Sequence, residues 1–526
     1  MKTASVVGLR PAVPAGRAWR EHQHGSGSRG AQHFWRCRAS APPSGPASNA
    51  SSARRSDNDV AAIASSDVAA AAPRVSMVSL GCPKNTVDGE VMLGDLYRQG
   101  FSITDDYEES DAVVVNTCGF VEDAKNESIE AILAASGMKE GGKVKKVIVT
   151  GCLAQRYSQE LADQMPEADL VVGFEQYGGL PSAIRSSLGL DPTVDLDQYA
   201  QRSRVQVGSA TVPFRAEFDR FRLTPKHTAY LRVAEGCDHA CTFCAIPGFR
   251  GKFRSKPYDE VVAEAKSLVA SGVKELNLIA EDTNQYGMDT KGGHRLAELL
   301  AELGELEGLQ WIRILYAYPS YFTESLIDEI ANNPKVCKYI DIPLQHIDNL
   351  VLLSMNRPPR GHTEALLHKL RERIPGLVLR TTFISGFPGE SDAAHRTLVD
   401  FVRGFRFERM GAFVYSVEDG TPAAEYPEQV DEDMRVARRD ELVSVQQDIG
   451  INFARSLVGR ELDVLIDGVN DEGQLFGRTQ WDAPDIDPVV FIGEPAEGVA
   501  PAQVGEMRRC FVDNASINDI DAHPVA

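Results

Sequence analysis

The chain reads as an α/β multidomain protein, with an N-terminal domain on a parallel α/β sheet, a partial (β/α) barrel and a small C-terminal antiparallel β-barrel. Three observations point there. Short runs that are apolar throughout, such as Ala112–Asn116 (AVVVN) and Lys146–Thr150 (KVIVT), alternate with helical stretches, as in a parallel sheet covered on both faces. From Ala229 a second series of strands and helices begins, giving six β/α units without a two-fold division. After about Gly459 short alternating strands are separated by Gly, Asp and Pro turns.

The first stretch, residues 1–73, is rich in Ala, Ser, Pro, Gly and Arg and has no sustained period. It cannot bury enough apolar surface to offset the entropy of ordering it, so a disordered segment is expected. Residues 1–56 hold nine Lys or Arg against the single acid Glu21. That balance, without an apolar signal core, fits an organelle transit peptide. Arg36–Ala41 (RCRASA) resembles the end of a plastid transit peptide, so the plastid stroma is expected, with the mitochondrial matrix as the alternative.

Residues 74–182 form the first ordered domain. Arg74–Leu80 is expected as a strand, Gly81–Asn85 as the following turn, and Gly89–Gln99 as a helix with Val91, Met92 and Leu96 on one side. Ala112–Asn116, Lys146–Thr150 and Leu170–Val172 supply further strands. Residues 183–222 are polar, with an extended apolar patch at 206–214, and read as a linker with some strand content. Residues 223–452 carry expected strands at Ala229–Val233, Glu275–Ile279, Trp311–Tyr316, Tyr339–Ile342, Val378–Ile384 and Arg409–Tyr415, then a long helix at Asp431–Leu457. Residues 453–522 form the small barrel.

The whole chain has a formal charge of −20, no apolar run of membrane-spanning length, and nine cysteines in 526 residues. So sparse a set excludes a secreted disulfide scaffold and suits a reducing compartment. From Phe453 to Ala526 there are 14 acids against five Arg and no Lys. A nucleic-acid-gripping barrel should have the opposite sign, so a basic protein partner is favoured over sequence-specific nucleic-acid binding.

Six cysteines carry the chemical signal. Cys237, Cys241 and Cys244 lie within eight residues directly after an expected strand (AEGCDHACTFC). Three thiolates at this density suit a soft metal centre. An iron-sulfur cube on three thiolates would leave one iron open to a small molecule; zinc with His239 as a fourth ligand, and redox or structural thiols, are the alternatives. Cys82, Cys118 and Cys152 each follow a strand of the first domain, and parallel strands gather their C-terminal ends at one edge, where these three can meet. Taken singly, each would more often be a buried core thiol.

Polar groups also follow the barrel strands: Glu281 and Asp282 after one and Gln345 and His346 after another, while Gly386 and Gly389 after a third remove side-chain bulk where a ligand would need room. Helix capping by the two acids and a structural role for His346 compete with cofactor contact. Arg250, Lys252 and Arg254 follow the three-cysteine loop and read equally as a solvated turn or as cations beside a cluster. No Ser-His-Asp set, Walker motif or dinucleotide glycine motif occurs.

The segments SLGCPKN (Ser79–Asn85), NTCGF (Asn116–Phe120), Leu223–Cys244, DIPLQH (Asp341–His346), TTFISGFPGE (Thr381–Glu390) and YSVEDGTPA (Tyr415–Ala423) resemble the radical S-adenosylmethionine (SAM) methylthiotransferase family. Within it they are similar to the branch acting on an aspartate of ribosomal protein S12 rather than to the tRNA-adenosine branch; a non-catalytic iron-sulfur protein is the remaining alternative. The resemblance implies a radical SAM barrel and a C-terminal TRAM barrel. It implies two [4Fe-4S] clusters, on Cys82, Cys118 and Cys152 and on Cys237, Cys241 and Cys244. SAM is implied both as methyl donor and as radical source, and Glu281, Asp282, Gln345, His346, Gly386 and Gly389 as cofactor contacts. An electron donor such as ferredoxin or flavodoxin, a monomeric state and an acidic TRAM barrel gripping basic S12 are expected with it. Two positions depart from the family's common wording: Glu281 stands where Gln is common, and Asp348 where Ser often follows.

Overall fold

In a computed structural model of the chain, residues 72–142, 144–190, 204–212, 214, 220–516 and 519–526 are described, so the transit-peptide expectation lies outside the described residues apart from its last two positions. The first sheet has six parallel strands in the order β2-β1-β3-β4-β5-β6: β1 (Arg74–Ser79), β2 (Ser102–Ile103), β3 (Ala112–Thr117), β4 (Lys146–Gly151), β5 (Leu170–Val172) and β6 (Val205–Gln206). β6 supplies strand content within 183–222, where part of that stretch completes the sheet edge beside β5. Its apolar residues were legible, but the partner strand more than 30 positions earlier was not.

The helix after β1, α1 (Pro83–Arg98), starts directly behind Cys82, where a turn and a later helix were expected. Pro83 at the first helical position, with its fixed φ and missing N–H, accounts for the early start. Two faces of α1 are apolar. Met92, Leu93 and Leu96 pack into the first domain, and Val87 and Val91 pack against Tyr230, Ile279, Trp311 and Leu315 of the second.

The second domain is an open six-stranded parallel sheet, β14-β13-β12-β11-β10-β7, the partial barrel expected. Its strands are β7 (Thr228–Arg232), β10 (Glu275–Ile279), β11 (Trp311–Ile314), β12 (Val336–Asp341), β13 (Val378–Ser385) and β14 (Arg409–Val414); β8 (Ala234–Glu235) and β9 (Arg254–Ser255) pair separately beside the cysteine loop. The helix Glu432–Leu457 leaves the barrel and places Ala454 and Leu457 in the core of the third domain.

That domain is a closed barrel in the order β15-β16-β17-β19-β18, formed by β15 (Glu461–Val469), β16 (Leu475–Thr479), β17 (Val490–Ile492), β18 (Met507–Ala515) and β19 (Ile520–Pro524). β17 and β19 pair parallel and the other pairings are antiparallel. Its segment 478–487 reaches the N-terminal halves of the large barrel's strands. Arg478 Nη2 lies 2.7 Å from Glu275, Arg409 Nη2 2.5 Å from Asp482, and Tyr339 donates to Asp487 at 2.6 Å. Asp467, Asp482, Asp485 and Asp487 are therefore committed to pairs within the molecule. The barrel's acidic composition overstated the negative charge left for a partner, although Asp471, Glu472, Glu494 and Glu497 remain exposed.

Candidate active site between two cysteine triads

Cys82, Cys118 and Cys152 stand at the C-terminal ends of the adjacent strands β1, β3 and β4. The approach is close: with φ +86° at Gly81, a Cβ there would lie 2.9 Å from the Cys118 Sγ, so glycine alone fits. Burial pushes the Cys118 thiol up to about 11, and ionisation of Cys82 beside it pushes the same way. Cys152 is raised to about 12 by burial, with the Arg250 guanidinium opposing.

The second triad lies on the loop after β8. Cys244 N donates to Cys241 O at 3.1 Å, and Asn356 and Thr242 tie the loop to the segment 354–357. Arg357 Nη1 lies 3.8 Å from the Cys241 Sγ. Burial raises Cys237, and raises Cys244 to about 12.

Cys118 and Cys152 are buried and the other four half-buried; thiols so placed, grouped by threes, bind as thiolates when a soft cationic centre displaces their protons, and an iron-sulfur cluster is such a centre. Among the described residues no three His, Cys, Asp or Glu side chains are arranged to hold a single metal ion. A cluster takes one thiolate per iron, so the two donor sets fit that group. His239 does not join its triad. It stacks on Tyr318 at 3.6 Å between centroids and bonds Asp282 at 2.6 Å, which removes the zinc ligand considered from sequence.

The residues expected at the barrel's C-terminal end divide. Asp282 is fully buried and its side chain makes no helix-capping bond, since it holds His239. Gln345 adopts φ +73° and its backbone pairs with β13, which holds this half-buried side chain at the end of the barrel. His346 is fully enclosed beside Glu390, His395 and Arg438 and accepts from Asp348 N at 3.0 Å, its Nε2 has no hydrogen-bond partner among the described residues, and burial lowers its pKa to about 3, so the ring is neutral. Gly386 and Gly389 differ from each other. A Cβ at Gly386 would strike Arg435, so there the missing side chain faces a packed residue, whereas Gly389 is exposed and a Cβ there would meet only Glu428, at an ordinary 3.4 Å. Both need glycine because φ is +71° and +80°.

Of the two unusual acids, Asp348 has a local explanation. Its carboxylate accepts from Leu350 N and Val351 N and caps the helix Asn349–Ser354. Asp348→Ala is expected to cost about 1 kcal/mol, seen as faster hydrogen exchange over that helix with little change elsewhere. Glu281 is buried, lies 3.9 Å from Arg250 Nε, and neither of its oxygens has a hydrogen-bond partner among the described residues. Burial first, and Glu235 nearby, raise its carboxyl to about 7 against Lys84 and Arg250. Below the ordinary value of 4.5 both folded and unfolded chains hold the proton, and between 4.5 and about 7 only the unfolded chain releases it. Stability attributable to Glu281 therefore falls across that window. Glu281→Gln should leave thermal unfolding at pH 4 unchanged and stabilise increasingly up to pH 7, by at most about 3 kcal/mol.

Sequence reasoning left open the residue that joins the two triads. Arg250, buried, places Nη2 3.6 Å from the Cys152 Sγ and 2.9 Å from Asp88 of α1, while Nη1 faces Glu235 at 3.2 Å. Arg232 bonds the same two carboxylates, each at 2.5 Å. A residue six positions past Cys244 thus contacts a ligand candidate of the other triad.

Three family models match in series: Uncharacterized protein family UPF0004 over residues 74–173, Radical SAM superfamily over 231–402 and TRAM domain over 458–525. The chain is 45% identical over 451 residues to the ribosomal protein uS12 methylthiotransferase RimO of Desulforamulus reducens, covering 85% of this chain and 98% of the relative. The chain belongs to the uS12 methylthiotransferase family. Members from Geobacter sulfurreducens and Clostridioides difficile are 43% and 41% identical over 450 residues, covering 85% of this chain and 97% and 98% of their own lengths. Membership in the uS12 methylthiotransferase family brings iron-sulfur and SAM chemistry with it. No helix among the described residues is long and apolar enough to cross a membrane.

Proposed function

We propose that this protein is a radical SAM methylthiotransferase that adds a methylthio group to the β-carbon of an aspartate in ribosomal protein uS12. The observation that carries this reading is the pair of cysteine triads, one per α/β domain, with Arg250, six positions past Cys244, reaching Asp88 of α1 and the Cys152 sulfur. Cys82, Cys118 and Cys152 would hold one [4Fe-4S] cluster and Cys237, Cys241 and Cys244 the other. When bound, the clusters and SAM supply the carbon radical, the sulfur and the methyl group.

The chain's own residues hold and shield. Arg250 and Arg357 place guanidinium groups at one sulfur of each triad, which favours the ligating thiolate. Glu281 offers two unpaired buried oxygens to a donor such as the cofactor's amino group. Asp282 keeps His239 out of the metal sphere, and Gln345 stands at the end of the barrel from which the cysteine loop springs.

The remaining parts of the reading rest on composition and on the resemblance. A ferredoxin or flavodoxin supplies electrons, the chain acts as a monomer without sequence-specific nucleic-acid binding, and residues 1–73 direct it to an organelle, the plastid stroma before the mitochondrial matrix. Anaerobically reconstituted protein offered uS12 and tRNA together is expected to methylthiolate uS12 alone; a methylthio group on tRNA alone would sink the assignment. Mass spectrometry of organellar uS12 with and without this gene decides the compartment.

A further inference from the structure

We propose that Lys84 receives the side-chain carboxylate of the substrate aspartate and so sets which residue of the partner is presented to the site. This rests on the uS12 reading above.

Lys84 is the second residue of α1, two positions after Cys82, and its chain crosses from the first domain to the C-terminal end of the large barrel. There Nζ lies 3.3 Å from Ala280 O, just past β10, and 3.5 Å from the centroid of the Tyr316 ring, just past β11. The ammonium thus spans from the helix that starts behind Cys82 to the C-terminal ends of β10 and β11.

Its partners do not balance its charge. Lys84 is 7% exposed, and among the described residues no carboxylate comes within ion-pair distance of Nζ. Arg232, Arg250 and Lys256, buried to a similar degree, each face at least one carboxylate. The ammonium feels the Glu281 carboxylate from beyond ion-pair distance, but its direct contacts are one carbonyl and one ring face, and a buried ammonium with three donors and no anion in contact is costly unless a ligand brings one. Tyr316 holds its ring beneath Nζ with φ +61°, a conformation costly for a bulky residue and frequent at ligand sites.

The substrate supplies the missing group. An aspartate carboxylate is bonded to the β-carbon that reacts, so a fixed cation at the carboxylate also fixes the reacting C–H bond between the two centres. An asparagine would leave the ammonium unpaired. The other carboxylate that could reach Lys84 is that of the cofactor's methionine portion.

The test uses cluster-loaded, unreduced protein with SAM, so that binding is read without turnover. A peptide spanning the modified uS12 loop is compared with its Asp→Asn counterpart by fluorescence anisotropy, on the unsubstituted protein and on Lys84→Met and Lys84→Gln. The unsubstituted protein is expected to prefer the Asp peptide by on the order of 10-fold or more. Both variants should bind the two peptides equally, with iron content and SAM affinity unchanged. Equal binding by the unsubstituted protein overturns the proposal, whether or not the variants load clusters, as does a preference that survives in both variants. A loss confined to SAM affinity gives Lys84 to the cofactor's carboxylate and overturns it too. Failure of both peptides to bind the unsubstituted protein removes the uS12 reading, and the proposal with it.

Discussion

Cys118→Ala is expected to abolish methylthio transfer to uS12 while reduced protein still cleaves SAM to 5′-deoxyadenosine. Cys118 directly follows β3, between the strands that carry Cys82 and Cys152, and its thiol is buried. Alanine there removes one of three thiolates from a donor set with no spare cysteine among the described residues: Cys337 lies in the interior of the large barrel and Cys510 in the core of the small one. The second triad is built on a different sheet and stitched to 354–357, so its geometry does not depend on Cys118. Transfer should fall by at least about 10²-fold, more than the loss typical of removing an outer-shell partner. Quantifying 5′-deoxyadenosine and modified uS12 in one reaction separates the two activities. Loss of both together would mean that the triads are not separate centres.

Arg250→Met should give the largest loss of stability of any single change near the site. The substitution leaves Asp88 and Glu235 buried with Arg232 as their remaining cation, and deprives Cys152 of its guanidinium neighbour. Breaking such a pair by removing one partner costs on the order of 3 kcal/mol, because the remaining charges stay desolvated. Two consequences are expected: a lower thermal unfolding midpoint, and loss of iron from the first triad before the second. Lys252→Met, two positions on at an exposed site, is the control and should change neither.

That contrast marks where the sequence was legible. The cysteines announced themselves by spacing and by their place after strands, both local properties. Arg250 and Lys252 look alike in GFRGKFRSK, and only the fold distinguishes them, by bringing Asp88 and Glu235 to one and water to the other. The same limit applies to α1: the face carrying Val91, Met92 and Leu96 was readable, while Asp88 and Lys84 belong to a surface formed with strands about 140 to 230 positions later. Positive charge inside a helix has no periodic signature when its partner is another domain.

Other residues take surroundings that their place in the sequence does not announce. His346 follows a strand just as Gln345 does, but alternation turns it into the Glu390–Arg438 group. Gly386 and Gly389 were read as making room, and both also supply backbone conformations with positive φ. The acids of the small barrel were counted as surface charge, and four of them close the barrel against the second domain. Composition reports how much charge a segment carries, and not which side of an interface spends it.

The central claim is that one chain holds two iron-sulfur clusters on separate cysteine triads. Iron and sulfide analysis with Mössbauer spectroscopy, on anaerobically prepared protein and on two variants each lacking one whole triad, tests it directly. The account predicts about eight irons per chain for the intact protein and about four for either variant. Four irons in the intact protein, with none left when Cys237, Cys241 and Cys244 are replaced, would contradict it.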